Sequence, residues 1–299
     1  MHDAGIGKRI EYALGLEENT VQRIIVSEED LNKMLHKLES VPFSKDDRFI
    51  VNLTCGTKIM SIGVYEYFSR FDSSFYYIPI GKNKIEDVRT SEDIPLNYRV
   101  NLKEYLTLYG LTFEKEGELL HTEEETKDLF NRFKRANFNR YRVPEILNAQ
   151  TLPKEIDRRY YSGVWFEEYT YLRIKEEKGL AADYIWRGVK LFRPDSGLIN
   201  DNEIDVMYVI DNKLYVGECK MSLSGTPMLK DTALLEQYMY KLAAISKDFG
   251  LAVNPYIFTL HRFYRFSENS LKAIEKRKDI LGIKGILSGE DFKQQKLNI

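Results

Sequence analysis

The chain has 299 residues, 43% of them hydrophobic and 30% charged, and a formal net charge of −2. The length allows two domains, and the small net charge excludes a strong global attraction for nucleic acid, so any such binding needs a local patch. Two cysteines exclude a disulfide framework and are typical of a reducing cytoplasm. No apolar run approaches ~18 residues and four histidines lack metal-ligand spacing, so we expect a cytoplasmic protein without membrane contact, zinc site or His-based triad.

An α/β pattern predicts the first domain. Residues 6–16 favour a helix, residues 21–26 favour a short strand, and Ser27 is placed to cap the next helix. Residues 49–53 and 75–80 predict two more strands with a helix between them, and the first of these has the apolar run of a central parallel strand. The buried stripe of the capped helix is predicted to be Leu31, Met34, Leu35 and Leu38.

The turn at residues 54–58 follows the strand and opens the helix, which is where ligands of such sheets bind. Gly56 allows close backbone approach, and Lys58 adds a positive charge near the helix N-terminus. Thr54 and Thr57 offer hydroxyl groups. The string is not a P-loop, because G-x-x-x-x-G-K-[ST] is absent. The residues leave two hypotheses open, an anion site and a capped helix start with an incidental lysine.

Residues 92–157 predict a connector with two helices, one over 102–109 that ends at Gly110 and one over 122–135. The second helix has an apolar stripe and ends in the most basic and aromatic segment of the chain. Such a segment could follow a phosphate backbone and stack bases, or it could be a solvated helix face. The basic and aromatic residues are Arg132, Phe133, Lys134, Arg135, Phe138, Arg140, Tyr141 and Arg142.

A second α/β domain is predicted from residue 158 to the end. Its first helix opens at residues 163–169, G-V-W-F-E-E-Y, and a strand follows at 184–192. After the hairpin described next come a helix over 229–245 and a strand over 256–260. The order is therefore helix, three strands, helix and strand.

The alternating residues 202–220, N-E-I-D-V-M-Y-V-I-D-N-K-L-Y-V-G-E-C-K, predict a β-hairpin. Asp and Asn tolerate the left-handed conformation of tight turns, so we place a two-residue turn at residues 211–212. That turn places Asp205 directly opposite Glu218 and Glu203 opposite Lys220.

Two carboxylates in a cross-strand pair repel each other, so their placement in an apolar hairpin needs a cause. A Mg²⁺ or Mn²⁺ ion between Asp205 and Glu218 would be that cause, since such ions are held by one or two carboxylates with water and substrate phosphate. Lys220 leaves the same face and could polarise water or stabilise developing charge. The alternative is a hairpin with a solvated charged face, which the apolar neighbours disfavour.

Two strings resemble known families. Residues 52–61, N-L-T-C-G-T-K-I-M-S, resemble the N-x-T-G-G-T-K-x-M-S signature of CRISPR-associated Rossmann-fold (CARF) domains, with Cys55 in place of a glycine. The hairpin string N-E-I-D…G-E-C-K resembles the D…E-x-K pattern of PD-(D/E)xK nucleases. Over most of its length, the chain is similar to fusions of these two domains.

The resemblance implies an α/β fold class with a Rossmann-like CARF domain over residues 1–91, a helical or winged-helix-like connector over 92–157 and a restriction-endonuclease-like α/β domain over 158–299. CARF domains normally begin with a strand, a helix and a strand before the point where this sequence starts. We therefore expect a partial CARF domain whose first strands are missing.

The resemblance also implies site residues. Mn²⁺ or Mg²⁺ would be held by Asp205 and Glu218, with a helix carboxylate completing the shell and Lys220 assisting catalysis. The family pattern selects Glu167 as that carboxylate, and Glu168 stays an alternative because helical spacing does not decide. Cyclic oligoadenylate, usually the tetra-adenylate, would bind across a homodimer at Thr54, Cys55, Gly56, Thr57 and Lys58.

The expected function is a metal-dependent endonuclease that cleaves DNA and/or RNA and is activated by cyclic tetra-adenylate in type III CRISPR antiviral defence. Two alternatives stay open. One is a non-catalytic regulator that binds cyclic oligoadenylate, and the other is a DNA repair or restriction nuclease without nucleotide sensing.

Overall fold

The computed structural model describes residues 6–17, 21–138, 160–192, 203–221, 231–250, 252–261, 263 and 266–299. The chain divides into two compact units, Met1–Arg99 and Val100–Ile299. Each unit combines helices with its own mixed sheet, which confirms the predicted α/β fold class. Within the described ranges, no helix combines the length and the apolar character that a membrane crossing requires.

The first unit contains a four-stranded sheet in the order β1-β2-β3-β4. Strands β1 and β2 are parallel and joined by helix α3, which is the predicted βαβ arrangement, whereas β3 and β4 continue the sheet in antiparallel fashion. The elements are α1 (Ile6–Leu14), α2 (Leu31–Glu39), β1 (Arg48–Asn52), α3 (Lys58–Phe68), β2 (Asp72–Tyr77), β3 (Lys84–Asp87) and β4 (Asp93–Pro95).

The predicted strand over residues 21–26 is wrong. This segment has no strand pairing, and its apolar side chains Ile24 and Val26 instead pack against the small core that contains Met34 and Leu38. A short apolar run can bury its side chains either as a paired strand or as coil, so its sequence does not distinguish the two conformations.

Two further expectations for this unit also need correction. Asp30, rather than Ser27, caps α2: its carboxylate accepts a hydrogen bond from the Lys33 amide at 3.0 Å, while the Ser27 hydroxyl supports Asp30 itself. Strand β1 is not central within the described sheet, because β2 is its one partner there and Ile50 is 80% exposed.

The second unit is built on a six-stranded sheet in the order β10-β9-β8-β7-β6-β5. The predicted order of helix, three strands, helix and strand corresponds to α6 through β9. The elements are α4 (Leu102–Leu108), β5 (Thr112–Lys115), α5 (Glu123–Arg135), α6 (Trp165–Lys178), β6 (Ile185–Phe192), β7 (Glu203–Ile210), β8 (Lys213–Lys220), α7 (Asp231–Ser246), β9 (Val253–Thr259), α8 (Glu268–Leu281) and β10 (Gly285–Leu287).

Helices cover both faces of this sheet and form two apolar cores, as in other α/β layers. Helices α4, α7 and α8 pack on one face, through Leu102, Leu106, Leu235, Met239 and Ile274. Helices α5 and α6 pack on the other face, through Leu129, Phe130, Phe133, Trp165 and Phe166. The catalytic candidates on β7 and β8 are therefore held in a sheet that is buried on both sides.

The segment predicted as a connector belongs to this second unit from Val100 onward, whereas β4 at its start belongs to the first sheet. Strand β5 pairs in antiparallel fashion with β6, so residues 112–115 extend the sheet. Four residues are too short for a clear alternation, which is why the sequence did not reveal the strand. Helix α5 begins with a capping box, which Thr122 and Glu125 form. Of the basic segment, Arg140, Tyr141 and Arg142 lie outside the described residues, and Arg132 forms an ion pair with Asp128 at 2.7 Å.

Strands β7 and β8 form the predicted hairpin with the predicted turn. Asp211 and Asn212 have φ angles of 51° and 60°, the left-handed values that a two-residue type I′ turn requires. The side-chain oxygen of Asn212 also accepts a hydrogen bond from the Val100 amide at 2.9 Å, which ties the start of the unit to the turn.

We predict that Asn212→Ala lowers the free energy of unfolding by about 1–3 kcal/mol, because alanine is strained at a left-handed position and loses the acceptor for Val100. Asn212→Gly keeps the turn and loses only the hydrogen bond, so its cost should be smaller. Urea unfolding of both variants checks this. A glycine variant as unstable as the alanine variant would contradict the turn's conformational role.

Candidate functional site

The register of the hairpin brings two acidic side chains together. The ladder runs from Ile210 opposite Lys213 to Val206 opposite Gly217, so the next pair outward is Asp205 and Glu218. Both are buried, at 8% and 3% exposure. An Asp205 carboxylate oxygen accepts a hydrogen bond from the Cys219 amide at 2.6 Å, which orients it across the two strands.

Lys220 offsets part of the negative charge of this pair. Its ammonium nitrogen lies 2.8 Å from Glu218 Oε1 and 3.4 Å from Asp205 Oδ2, and it donates a hydrogen bond to the Cys219 carbonyl at 3.0 Å. Burial acts against the charged form of Lys220, but the charges of Asp205 and Glu218 outweigh it and raise the pKa of the lysine. Three oxygens therefore converge on one cationic centre.

The donor set of this centre fits a hard divalent cation. Two carboxylates and a backbone carbonyl are the oxygen ligands that Mg²⁺ and Mn²⁺ accept, with water and substrate oxygens completing the shell. In this structure the ammonium of Lys220 contacts all three oxygens and so marks the point on which they converge. In the part of the chain that is described, no group of three or more His, Cys, Asp and Glu side chains is arranged to hold a metal ion, so side chains alone do not form a closed shell.

Glu167 lies electrostatically close to this centre. Burial raises its pKa to about 8, and the negative charge of Asp205 adds to the shift, while Lys220 opposes it. Burial likewise raises the pKa of Asp205 to about 6, against the opposing charge of Lys220. Raised carboxyl pKa values of this kind mark a site with an excess of buried negative charge, which a bound cation would relieve.

Glu168, the sequence alternative, has a different position. It is fully buried and pairs with Arg187 of β6 at 3.1 Å. It also accepts a hydrogen bond from the Leu120 amide at 2.7 Å and one from the Tyr160 hydroxyl at 3.3 Å. The same arginine pairs with Glu116, so this network joins α6, β6 and the segment after β5. Because its oxygens are engaged there, Glu168 stabilises the fold and Glu167 remains the candidate for the site.

Helix α7 adds two side chains that sequence reasoning missed. The Tyr238 ring lies 5.4 Å from the ammonium of Lys220, and Lys241 Nζ lies 3.6 Å from Glu218 Oε1. The two residues are one turn apart on the helix and therefore share a face. Their spacing was visible in the sequence, but the packing of that face against β8 was not.

The turn at residues 54–58 lies between β1 and α3, as predicted. Gly56 has a φ of +93°, a conformation that favours glycine, and Thr57 caps α3 by accepting a hydrogen bond from the Met60 amide. The Thr54 hydroxyl accepts a hydrogen bond from the Ile78 amide at 2.7 Å. The exposed residues of the turn are Cys55, Gly56, Thr57 and Lys58.

The residues of the turn have two roles: the threonines hold its shape, and Lys58 is exposed. Both threonine hydroxyls make internal hydrogen bonds, since Thr57 also donates to the Glu28 carbonyl at 3.0 Å. Lys58 is the first residue of α3 and is exposed beside the positive end of the helix dipole. The turn can therefore attract an anion through Lys58 and the backbone, with the hydroxyls holding its shape.

Each unit matches a known protein family. Residues 1–105 match the Card1 CARF domain, and residues 154–288 match the Card1-like endonuclease domain. The chain thus joins a Card1-type CARF domain to a Card1-like endonuclease domain. The resemblance found in the sequence is thereby confirmed as far as a CARF domain followed by a nuclease domain. No curated protein matches this CARF endonuclease.

Solved structures share the fold of this CARF endonuclease. The crystal structure of protein VC1899 from Vibrio cholerae aligns with a TM-score of 0.72 at 17% identity, over 96% of this chain and 85% of that one. Can2 from Sulfobacillus thermosulfidooxidans, in complex with cyclic tetra-adenylate, aligns with a TM-score of 0.65 at 17% identity, over 96% of this chain and 83% of Can2. A type III CRISPR defence DNA nuclease activated by cyclic oligoadenylate aligns with a TM-score of 0.54 at 15% identity, over 91% of this chain and 45% of that one.

We predict opposite effects of Glu167→Gln and Glu168→Gln on stability. The pKa of Glu167 is higher in the folded protein than its ordinary value of 4.5. The unfolded chain therefore loses this proton more readily, and the free energy of unfolding falls as pH rises from about 4.5 towards 8. Glu167→Gln should therefore raise the free energy of unfolding at pH 8 in EDTA and change nothing near pH 4. Glu168→Gln should lower it by about 2–4 kcal/mol at pH 7, because Arg187 loses a buried anionic partner.

Urea unfolding of wild type and both variants at pH 4, 7 and 8 in EDTA is the measurement. The residues are neighbours and the substitutions are identical, so each variant controls for the other. Stabilisation by Glu168→Gln together with destabilisation by Glu167→Gln would reverse the assignment of the two carboxylates.

Proposed function

We propose that this CARF endonuclease is a metal-dependent nuclease of the PD-(D/E)xK type that cyclic tetra-adenylate activates. The observation that carries the proposal is the buried pair Asp205 and Glu218 on one lysine, inside the unit that matches an endonuclease domain. Stability alone does not account for such buried carboxylates, since replacing a buried ion pair by apolar residues is often neutral or stabilising.

Asp205, Glu218 and the Cys219 carbonyl would hold a Mg²⁺ or Mn²⁺ ion, with Glu167 completing or orienting its shell. Such an ion supplies a polarised water and stabilises the negative charge that develops on the phosphodiester. The residues of the chain position these groups: the Cys219 amide orients Asp205, and Lys220 provides a positive charge beside both carboxylates. Lys220 thus serves to bind the phosphate or to orient the attacking water.

The proposed substrate is a nucleic acid, DNA and/or RNA, and the proposed setting is type III CRISPR antiviral defence. Support comes from the endonuclease family match and from the similar fold of the type III CRISPR defence DNA nuclease. With a net charge of −2, the chain has to contact the polyanion through local positive groups. Arg132, Lys134 and Arg135 of α5 are further candidates for that contact.

We predict that Asp205→Asn and Lys220→Met each reduce Mn²⁺-dependent cleavage by about a hundredfold or more, because each removes a group that acts on the phosphodiester or its cation. Lys213→Met is the matched control, since Lys213 lies at the opposite end of the same strand. Rates on plasmid, single-stranded DNA and RNA, with saturating cyclic tetra-adenylate, are the measurement. Equal rates in the wild type and the three variants would refute the catalytic assignment of Asp205 and Lys220 and favour a binding protein without catalysis.

The proposed activator site is the turn at residues 54–58. The first unit matches a CARF domain, and the similarly folded Can2 was solved with cyclic tetra-adenylate. A cyclic tetranucleotide has near two-fold symmetry and suits an isologous interface, so we propose a homodimer in which Lys58 of each protomer reaches a phosphate. Light scattering that shows a monomer with and without ligand would contradict this part.

We predict that Lys58→Ala shifts the activation curve to higher cyclic tetra-adenylate by about tenfold to several hundredfold, because a charge-assisted contact is lost in each protomer. The plateau rate should not change, since the substitution leaves Asp205 and Glu218 intact. Titration of cleavage at saturating Mn²⁺ checks this, with Lys37→Ala of α2 as an exposed control. An unshifted curve would mean that Lys58 only begins the helix.

A further inference from the structure

Helix α7 brings a second ammonium group to the candidate catalytic carboxylate. Lys241 Nζ and Lys220 Nζ both approach Glu218 Oε1, at 3.6 Å and 2.8 Å. The side chain of Lys241 is 44% exposed, whereas that of Glu218 is 4% exposed. Lys241 therefore lies where the buried site meets solvent.

The two lysines are held very differently. Lys220 contacts two carboxylates and a backbone carbonyl and lies over the Tyr238 ring, so it is engaged by the protein. The contact of Lys241 with Glu218 is longer than a hydrogen bond, and the lysine end of the pair lies in solvent, which screens its charge. Lys241 can consequently turn to another anion at small cost.

The electrostatics of α7 favour an anion at this rim. The nearby acid of the helix, Glu236, is paired with Arg277 of α8 at 3.1 Å. Gln237, four residues before Lys241 and also exposed, is neutral and lies on the same helix face. A nucleic acid that approaches buried acidic groups needs a positive charge at the entrance to offset their repulsion.

We propose that Lys241 is a substrate-binding residue that contacts a backbone phosphate of the nucleic acid at the entrance of the site. The proposal rests on the proposed nuclease function and adds the residue that holds the polyanion beside it. The shared chemistry of DNA and RNA here is the phosphodiester, so Lys241 contributes affinity without distinguishing the sugar or the base.

The direct test is binding without cleavage. Fluorescein-labelled single-stranded DNA and RNA are titrated with the full-length protein in EDTA and cyclic tetra-adenylate, and fluorescence anisotropy is followed over a range of salt concentrations. We expect Lys241→Ala to weaken binding of both by about tenfold and to reduce the slope of log K against log salt by about 0.7, the value for one phosphate contact on a single strand. Lys241→Arg should retain most of the affinity and the slope.

Lys247→Ala is the matched control, because it removes an exposed lysine just after the end of α7 and should leave affinity and slope unchanged. Cleavage kinetics in Mn²⁺ give a second measurement. For Lys241→Ala we expect a KM raised by about tenfold with kcat changed by less than about twofold, the pattern of lost ground-state binding. Thermal unfolding of each variant verifies the fold.

Several outcomes overturn the proposal. One is a Lys241→Ala protein with the affinity and salt slope of the Lys247→Ala protein, and another is a lowered kcat at unchanged KM, which would make Lys241 a positioning residue for Glu218. A wild-type protein without salt-dependent binding of either strand also overturns it. Binding without any Mn²⁺-dependent cleavage would instead refute the proposed nuclease function, and the salt slope would still decide the role of Lys241.

Discussion

The register of one hairpin brings the buried acidic side chains of the second unit together. A two-residue turn at Asp211 and Asn212 aligns β7 with β8, and that alignment places Asp205 beside Glu218 in an otherwise apolar sheet. A slip of one residue would move every side chain to the opposite face and separate the two carboxylates. The pair is stable in the folded protein because Lys220 and the Cys219 amide compensate its charge. The covering helices exclude water and make that compensation necessary.

Two adjacent glutamates on α6 show how burial assigns different roles to identical side chains. Glu168 has a cationic partner and hydrogen-bond donors in the fold, whereas burial and Asp205 raise the pKa of Glu167. A carboxylate that is paired with a cation and hydrogen-bonded inside the protein stabilises the fold, whereas one with an uncompensated charge is suited to bind a ligand or a cation. The network of Glu168 also fixes the first turn of α6, from which Glu167 extends. Glu168 therefore supports the position of Glu167.

The turn at residues 54–58 combines rigidity with exposure in a comparable way. The hydroxyl groups of Thr54 and Thr57 form internal hydrogen bonds, and Gly56 adopts the left-handed backbone conformation, so the loop keeps one shape. Lys58 is then presented at the start of α3. A loop that is ordered before its ligand arrives loses less conformational entropy on binding. Such preorganisation is what a sensor of a small cyclic nucleotide requires.

The sequence by itself determined the features that depend on neighbours along the chain. These are the hairpin and its turn, the βαβ unit, and the strings that indicate the family, because local periodicity and turn chemistry encode them. Tertiary structure alone decided that Glu168 of α6 pairs with Arg187, that β5 joins the second sheet, that residues 21–26 pack as coil, and that Lys241 reaches Glu218. Each of these depends on contacts between residues far apart in sequence, and helical or strand spacing carries no information about which face meets which partner.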